Sequence, residues 1–239
     1  MKTTGLMICF SLFVSLLTTA AFAQFDLQSA DEIAQARERI QQDFSSAKLP
    51  ASLSALQKIQ ILQSYNYVDP KEEVPKDLLK ASLLYFDLNK AQFENQNYIT
   101  VINYKPRSDN YRFFVIDMTT GTVEKYHTAH GWGSDKNIDG IATSFGNVNN
   151  SKKSSLGFAK TAATYSGKFL RSLRLDGLST TNSNLRSRAI VVHGWDHIHE
   201  ANEIPGVTQG CPALDWKIKD AVIDKIQNGS LVNMGYSLL

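Results

Sequence analysis

The spacing of apolar residues changes once along the chain, near residue 98. Before that point the period is helical. Ile33, Ile40 and Phe44 recur with charged residues between them, the signature of an amphipathic helix, and Ser29-Ala-Asp-Glu32 ahead of them matches a capping box. Leu53, Leu56 and Ile59 predict a second helix running to about Tyr65, which Asp69-Pro70 stops. Pro75 suits the first turn of a third helix, with Leu79, Leu83 and Phe86 on one face. Beyond residue 98 the period is two. Tyr98–Tyr104, Tyr111–Asp117 and Thr122–Thr128 read as strands, the last two joined through Thr119-Thr120-Gly121 as a hairpin. A polar stretch rich in Gly, Asn and Ser follows from Ser134 to Ser155. Strand-like pieces then occupy Gly157–Thr164, Ser172–Asp176 and Ala189–Val192. Trp216, Ile218, Val222 and Ile226 predict one amphipathic helix closed by Gly229, and Ser230–Gly235 a last strand. The pattern implies an α+β, β-dominated fold, with a helical segment over residues 24–95 leading into a mainly β domain over 96–239.

The first residues read differently. Lys2 supplies a positive start, Leu6 to Leu17 an apolar core too short to span a membrane, and Ala21-Phe22-Ala23 an A-x-A cleavage site. Residues 1–23 are therefore expected to be a signal peptide, with the mature chain starting at Gln24, exported and most simply periplasmic. No later stretch has the length or apolarity of a membrane span. Lys and Arg total 25 against 23 Asp and Glu, a balance that argues against nucleic acid or an anionic membrane as the main partner. Of two cysteines, Cys9 lies in the leader, leaving Cys211 alone with no internal disulfide partner. A lone thiol carried through an oxidising compartment is either a buried core residue or a nucleophile.

The neighbourhood of Cys211 favours the second. Arg188-Ala-Ile-Val-Val-His193-Gly194 places a histidine at the end of a rigid β-branched run, and Val207-Thr208-Gln209-Gly210-Cys211-Pro212-Ala213-Leu214 places the thiol in a Gly-preceded turn. A thiolate is the attacking species, so Cys211 needs a base in reach, a helix N-terminus, or both. His193 supplies the first, and Pro212, favoured in a first helical turn, suggests the second. Gly210 lets the backbone amides beside Cys211 converge on one point, as an oxyanion hole requires.

These residues resemble the catalytic signature of the murein L,D-transpeptidases, the YkuD-type cysteine enzymes, whose pattern is His-Gly, a spacer, then Ser/Thr-x-Gly-Cys. The resemblance is closer to a divergent branch with Gly-Cys-Pro-Ala. Val115-Ile116-Asp117, His130-Gly131, Phe145-Gly146-Asn147, Ser154-Ser155-Leu156-Gly157 and Arg188 follow that branch's wider pattern in order. It implies a curved sheet or barrel with the cysteine at a helix N-terminus. It also implies Cys211 as nucleophile, His193 as base and proton shuttle, the Gly194 carbonyl orienting the imidazole, and Thr208 supporting the turn. The stem peptide of peptidoglycan is the implied substrate, with Arg188, His130, Ser155, Trp195 and Asn147 as candidates to hold it. No cofactor is expected. Many members carry a histidine where this chain has Gln209, which cannot shuttle protons. The implied reaction is L,D-transpeptidation of tetrapeptide stems through a thioester, with carboxypeptidation to tripeptides as the alternative.

Two other classes stay open at this level. His193, His197 and His199 form H-x3-H-x-H, with His127 and His130 upstream, so a zinc site is conceivable, although the spacing suits no common motif. A non-catalytic wall-binding protein on the same fold is the other. Arg174 and Asp176 alternate on one strand and read equally as an ion pair or as functional residues.

Overall fold

The computed structural model describes residues 53–201 and 203–239. The leader, its cleavage site and the first predicted helix lie outside the described residues. Three helices, α1 (Ala55–Ser64), α2 (Lys76–Leu88) and α3 (Trp216–Ile226), accompany eight strands: β1 (Tyr98–Asn103), β2 (Phe113–Asp117), β3 (Val123–Tyr126), β4 (Gly157–Gly167), β5 (Leu170–Gly177), β6 (Val191–Gly194), β7 (Ala213–Leu214) and β8 (Leu231–Gly235). They form one curved, nearly closed sheet in the order β3-β2-β1-β8-β4-β5-β6-β7. The β-dominated α+β class read from the sequence is the class observed.

The last strand holds the sheet together. β8 pairs parallel with β1, Ile99 opposite Leu231, and antiparallel with β4, Gly157 opposite Met234. It thereby joins the β1–β2–β3 meander to the β4–β5–β6 half that carries His193. Both faces of the sheet are covered. Phe113 and Val115 point into a core shared with Val222, Ile223 and Ile226 of α3. Phe114 and Ile116, one residue out of phase, point into a second core with Leu78, Leu83 and Phe86 of α2. Burial on both faces explains why β2 is a continuous apolar run and not an alternating one. Asn233, on the α2 side of β8, donates through Nδ2 to Ser82 Oγ at 2.9 Å and so ties α2 to the sheet.

The predicted stripe on α1 is not the one the fold uses. Leu56 and Ile59 are 72% and 51% exposed, whereas Ile61 and Leu62 pack against the α2 core. The helix starts at a Ser54–Gln57 capping box, and it is its last turn, leading into buried Tyr65 and Val68, that reaches this core. Strand β4 also runs further than expected, to Gly167, and turns directly into β5 as a hairpin with a register shift between Thr161 and Thr164.

Thr161 at that shift ties β4 to the turn between α3 and β8. Its hydroxyl donates to Ile226 O at 2.6 Å and accepts from the Gly229 and Ser230 amides at 3.1 and 2.8 Å. Thr161→Val strands two buried amides. We expect a loss of about 2–3 kcal/mol, read as a lower urea midpoint with unchanged slope.

Candidate active site

His193 is the next-to-last residue of β6, a strand buried along its whole length. Its Nδ1 lies 2.7 Å from the carbonyl oxygen of Gly194. A carbonyl only accepts, so Nδ1 carries the proton and Nε2 presents a lone pair. Gly194 is required by its neighbour: a Cβ there would lie 2.3 Å from the Trp216 ring. The imidazole is held flat by Phe169, stacked at 4.1 Å and 18°, with Trp195 edge-on at 6.2 Å and 87°. Burial lowers the pKa of His193. The Gly194 hydrogen bond opposes that shift, and the nearby Lys219 ammonium adds to it. His193 is thus held neutral, in one tautomer and one plane.

Cys211 sits in a turn stitched to two other loops. Thr208 Oγ1 donates to Cys211 O at 2.8 Å and accepts from the Gly210 amide at 3.1 Å. The Thr208 and Trp132 amides exchange bonds with His130 O and Thr208 O, at 2.9 Å each, as a parallel bridge. Ser154 Oγ donates to Gly210 O at 3.3 Å and accepts from the Gly131 amide at 3.0 Å. The backbones touch: a Cβ on Gly131 would lie 2.8 Å from Gly210 Cα, and one on Gly210, whose φ is +120°, 2.6 Å from Lys153 O. Such a φ suits glycine alone.

The thiol is 7% exposed. Burial pushes its pKa up to about 11, against a smaller pull downward from the Val191 amide and the Arg188 charge. Its sulfur donates to Ala189 O at 3.7 Å. His193 and Cys211 lie in adjacent segments, since β6 and β7 pair with His193 opposite Ala213, but they are not hydrogen-bonded to each other in this state. The Cys211 amide has no acceptor among the described residues. The expected helix N-terminus at Cys211 is corrected: residues 213 and 214 form β7, and Asp215 caps α3 by accepting from the Lys217 amide at 2.8 Å. Pairing with β6 takes the residues that a first helical turn would need, so Cys211 does not stand in the first turn of α3.

Most of the candidate stem-binding residues are committed to the scaffold. Arg188 donates to Gly146 O at 2.9 Å, Ser155 Oγ at 2.6 Å and Lys153 O at 2.6 Å, and Ser155 in turn donates to Gly146 O. Asn147 ties to Thr180 O, Ser183 Oγ and the Asn184 amide. His130 is buried between Arg112 and Asp135. Arg112 donates to Nδ1 at 3.0 Å, so Nε2 carries the proton and donates to Asp135 Oδ2 at 3.0 Å. Gln209 is exposed and lines a cleft of about 250 Å³ with Lys152 and Arg188. Trp195 stays beside His193, against Phe169 and His197. Sequence reasoning missed Phe169, Lys219 and Ala189. The first comes from a hairpin turn and the second from the inner face of α3; no local motif marks either.

A family model described as the L,D-transpeptidase catalytic domain, of the YkuD kind, matches residues 70–234. The chain belongs to this L,D-transpeptidase family. Its match begins within the segment that holds α2, which packs on the sheet. Similar solved structures include an L,D-transpeptidase from Mycobacterium smegmatis, at 12% identity and a TM-score of 0.35 over 58% of each chain. L,D-transpeptidase 1 of Mycobacterium tuberculosis matches at 11% identity and a TM-score of 0.33, over 57% of this chain and 60% of that one. The L,D-transpeptidase (Yku) from Stackebrandtia nassauensis matches at 12% and 0.36, over 74% and 75%. No curated protein matches the chain. Among the described residues no three His, Cys, Asp or Glu side chains are grouped to hold a metal ion, and no helix is long and apolar enough to cross a membrane.

A buried thiol with a raised pKa has a definite signature. Alkylation of Cys211 by iodoacetamide, followed by intact mass, is expected to accelerate about tenfold per pH unit from roughly pH 7 to 10, as the thiolate fraction grows. A plateau at neutral pH would show a thiolate already formed.

Proposed function

We propose that this chain is an exported, cysteine-dependent peptidoglycan L,D-transpeptidase that acts on tetrapeptide stems. The observation that carries the reading is the fixed tautomer of His193, which leaves an Nε2 lone pair beside the segment that bears Cys211. Family membership supports the reaction class.

In this reading the Cys211 side chain rotates from Ala189 O towards His193, whose Nε2 takes the thiol proton as sulfur attacks the carbonyl carbon of the third stem residue, at its L-centre. The unpaired Cys211 amide is suited to the oxyanion. The C–N bond breaks, the His193 imidazolium returns its proton to the departing D-alanine amine, and a thioester remains. An amine from a neighbouring stem then attacks that carbonyl and yields its proton to His193. The C–S bond breaks, and the proton passes back to sulfur. A neutral histidine beside a protonated thiol is the correct starting pair for such a transfer. Gly194 fixes the imidazole, and Thr208 and Gly210 fix the turn.

Incubating the chain from Gln24 onward with disaccharide tetrapeptides is expected to give crosslinked dimers lacking one D-alanine, absent with Cys211→Ala. Tripeptide as the sole product would assign carboxypeptidation instead, and no product would leave the wall-binding alternative. Because His193 must be unprotonated to accept the thiol proton, and burial holds its pKa below the usual 6.5, kcat/KM should fall only as the pH drops below that value. An acid limb above it would contradict the role. Export is part of the proposal: N-terminal sequencing of protein recovered from the periplasm should begin at Gln24.

A further inference from the structure

Arg174 and Asp176 do not form the ion pair that their alternation on one strand suggested. Asp176 is taken by Arg186, in a bidentate pair with both contacts at 2.7 Å. Arg174 makes no hydrogen bond and no ion pair with any described residue; its guanidinium lies over the Tyr165 ring at 4.1 Å. Both side chains line a cleft of about 210 Å³, with Leu175, Arg186, Ala189, Ile190 and Val191. The pair of Arg186 with Asp176 is neutral in sum, so the cleft carries the single positive charge of Arg174.

This cleft adjoins the thiol. Ala189, on its wall, holds the carbonyl to which Cys211 Sγ donates. Val191, the cross-strand partner of Arg174, has its amide facing the same sulfur. Arg174 and Cys211 therefore stand on opposite sides of β6, about two strand spacings, roughly 10 Å, apart along the sheet. A half-buried guanidinium stacked on an aromatic ring is oriented and partly desolvated, and its fork of N–H donors fits a carboxylate. Its position points to a carboxylate branching from the bound chain some way from the scissile carbonyl. The terminal carboxylate, one residue beyond that carbonyl, lies closer to the thiol.

We propose that the cleft between Tyr165, Arg174 and Ala189 is the subsite that reads a side carboxylate of the stem peptide, with Arg174 as the specificity-determining residue; this rests on the stem peptide being the substrate. The D-glutamyl α-carboxylate and the distal carboxylate of the third residue share the required chemistry, and selective amidation separates them.

The test measures binding apart from chemistry. Calorimetry follows synthetic tetrapeptide stems added to the full chain carrying Cys211→Ala. The stems are unmodified, amidated at the D-glutamyl α-carboxyl, amidated at the distal carboxyl of the third residue, or carry a C-terminal carboxamide. Arg174→Gln is expected to weaken the unmodified stem about 10- to 100-fold and to leave unchanged the affinity of one side-amidated stem, which identifies the carboxylate. Arg174→Lys should recover part of the loss. Equal weakening of all four stems, an insensitivity confined to the C-terminal carboxamide, no weakening of any, or no binding at all overturns the proposal. Arg174-dependent binding in a chain that makes no product would keep the subsite and remove the reaction. Product formation with Arg174-independent binding would do the reverse.

Discussion

The turn that carries Cys211 is held by contact between two backbones. A Cβ on Gly131 would strike Lys152 O and the Gly210 backbone, one on Gly210 would strike Lys153 O, and Ser154 and Thr208 close the gap with hydroxyl bonds to both segments. The rest of the site depends on this seam. It aligns β7 beside β6, which sets Cys211 in the segment next to His193. Beneath it, Arg112, His130 and Asp135 form a buried chain of alternating charge and neutral ring, in which every bond constrains the loop that meets Thr208. These bonds couple the loop that carries His130 to the buried Arg112 and Asp135 side chains.

One cause, burial, perturbs the two reacting groups in opposite directions. It raises the thiol and lowers the imidazole, because each group is pushed towards its uncharged form. A resting ion pair is therefore disfavoured, and the chemistry we propose begins with proton transfer inside a neutral pair. Phe169 contributes to this environment from the β4–β5 hairpin by covering one face of the His193 ring.

Substrate-binding groups and scaffold groups exchange places between the chain pattern and the fold. Arg188, Ser155 and Asn147 look like ligands for a peptide, yet their hydrogen bonds close the loop between β5 and β6 onto the long segment before β4. Arg174 looks like half of an ion pair, yet Arg186 takes its expected partner and leaves it facing a cleft. A guanidinium with its donors engaged by carbonyls is a clamp. Arg174, with its donors unengaged over the Tyr165 ring, has them free for the carboxylate proposed above.

Local order along the chain was legible in the sequence. The short apolar runs of β1 and β2, the helical stripe of α2 and the amphipathic α3 each lie within one stretch of chain, where a short window of sequence records them. The His193-Gly194 and Thr208-Gln209-Gly210-Cys211 motifs were legible too, because a turn needs particular residues at fixed offsets. What the tertiary structure alone decided are pairings between distant segments: β8 between β1 and β4, Phe169 on His193, Arg186 on Asp176, and the two-residue β7 where Pro212 suggested a helix start. Each is a competition between a local preference and a partner far away in the chain. Burial and hydrogen bonding to that partner outweighed the local preference, and no pattern within a short window contains the partner.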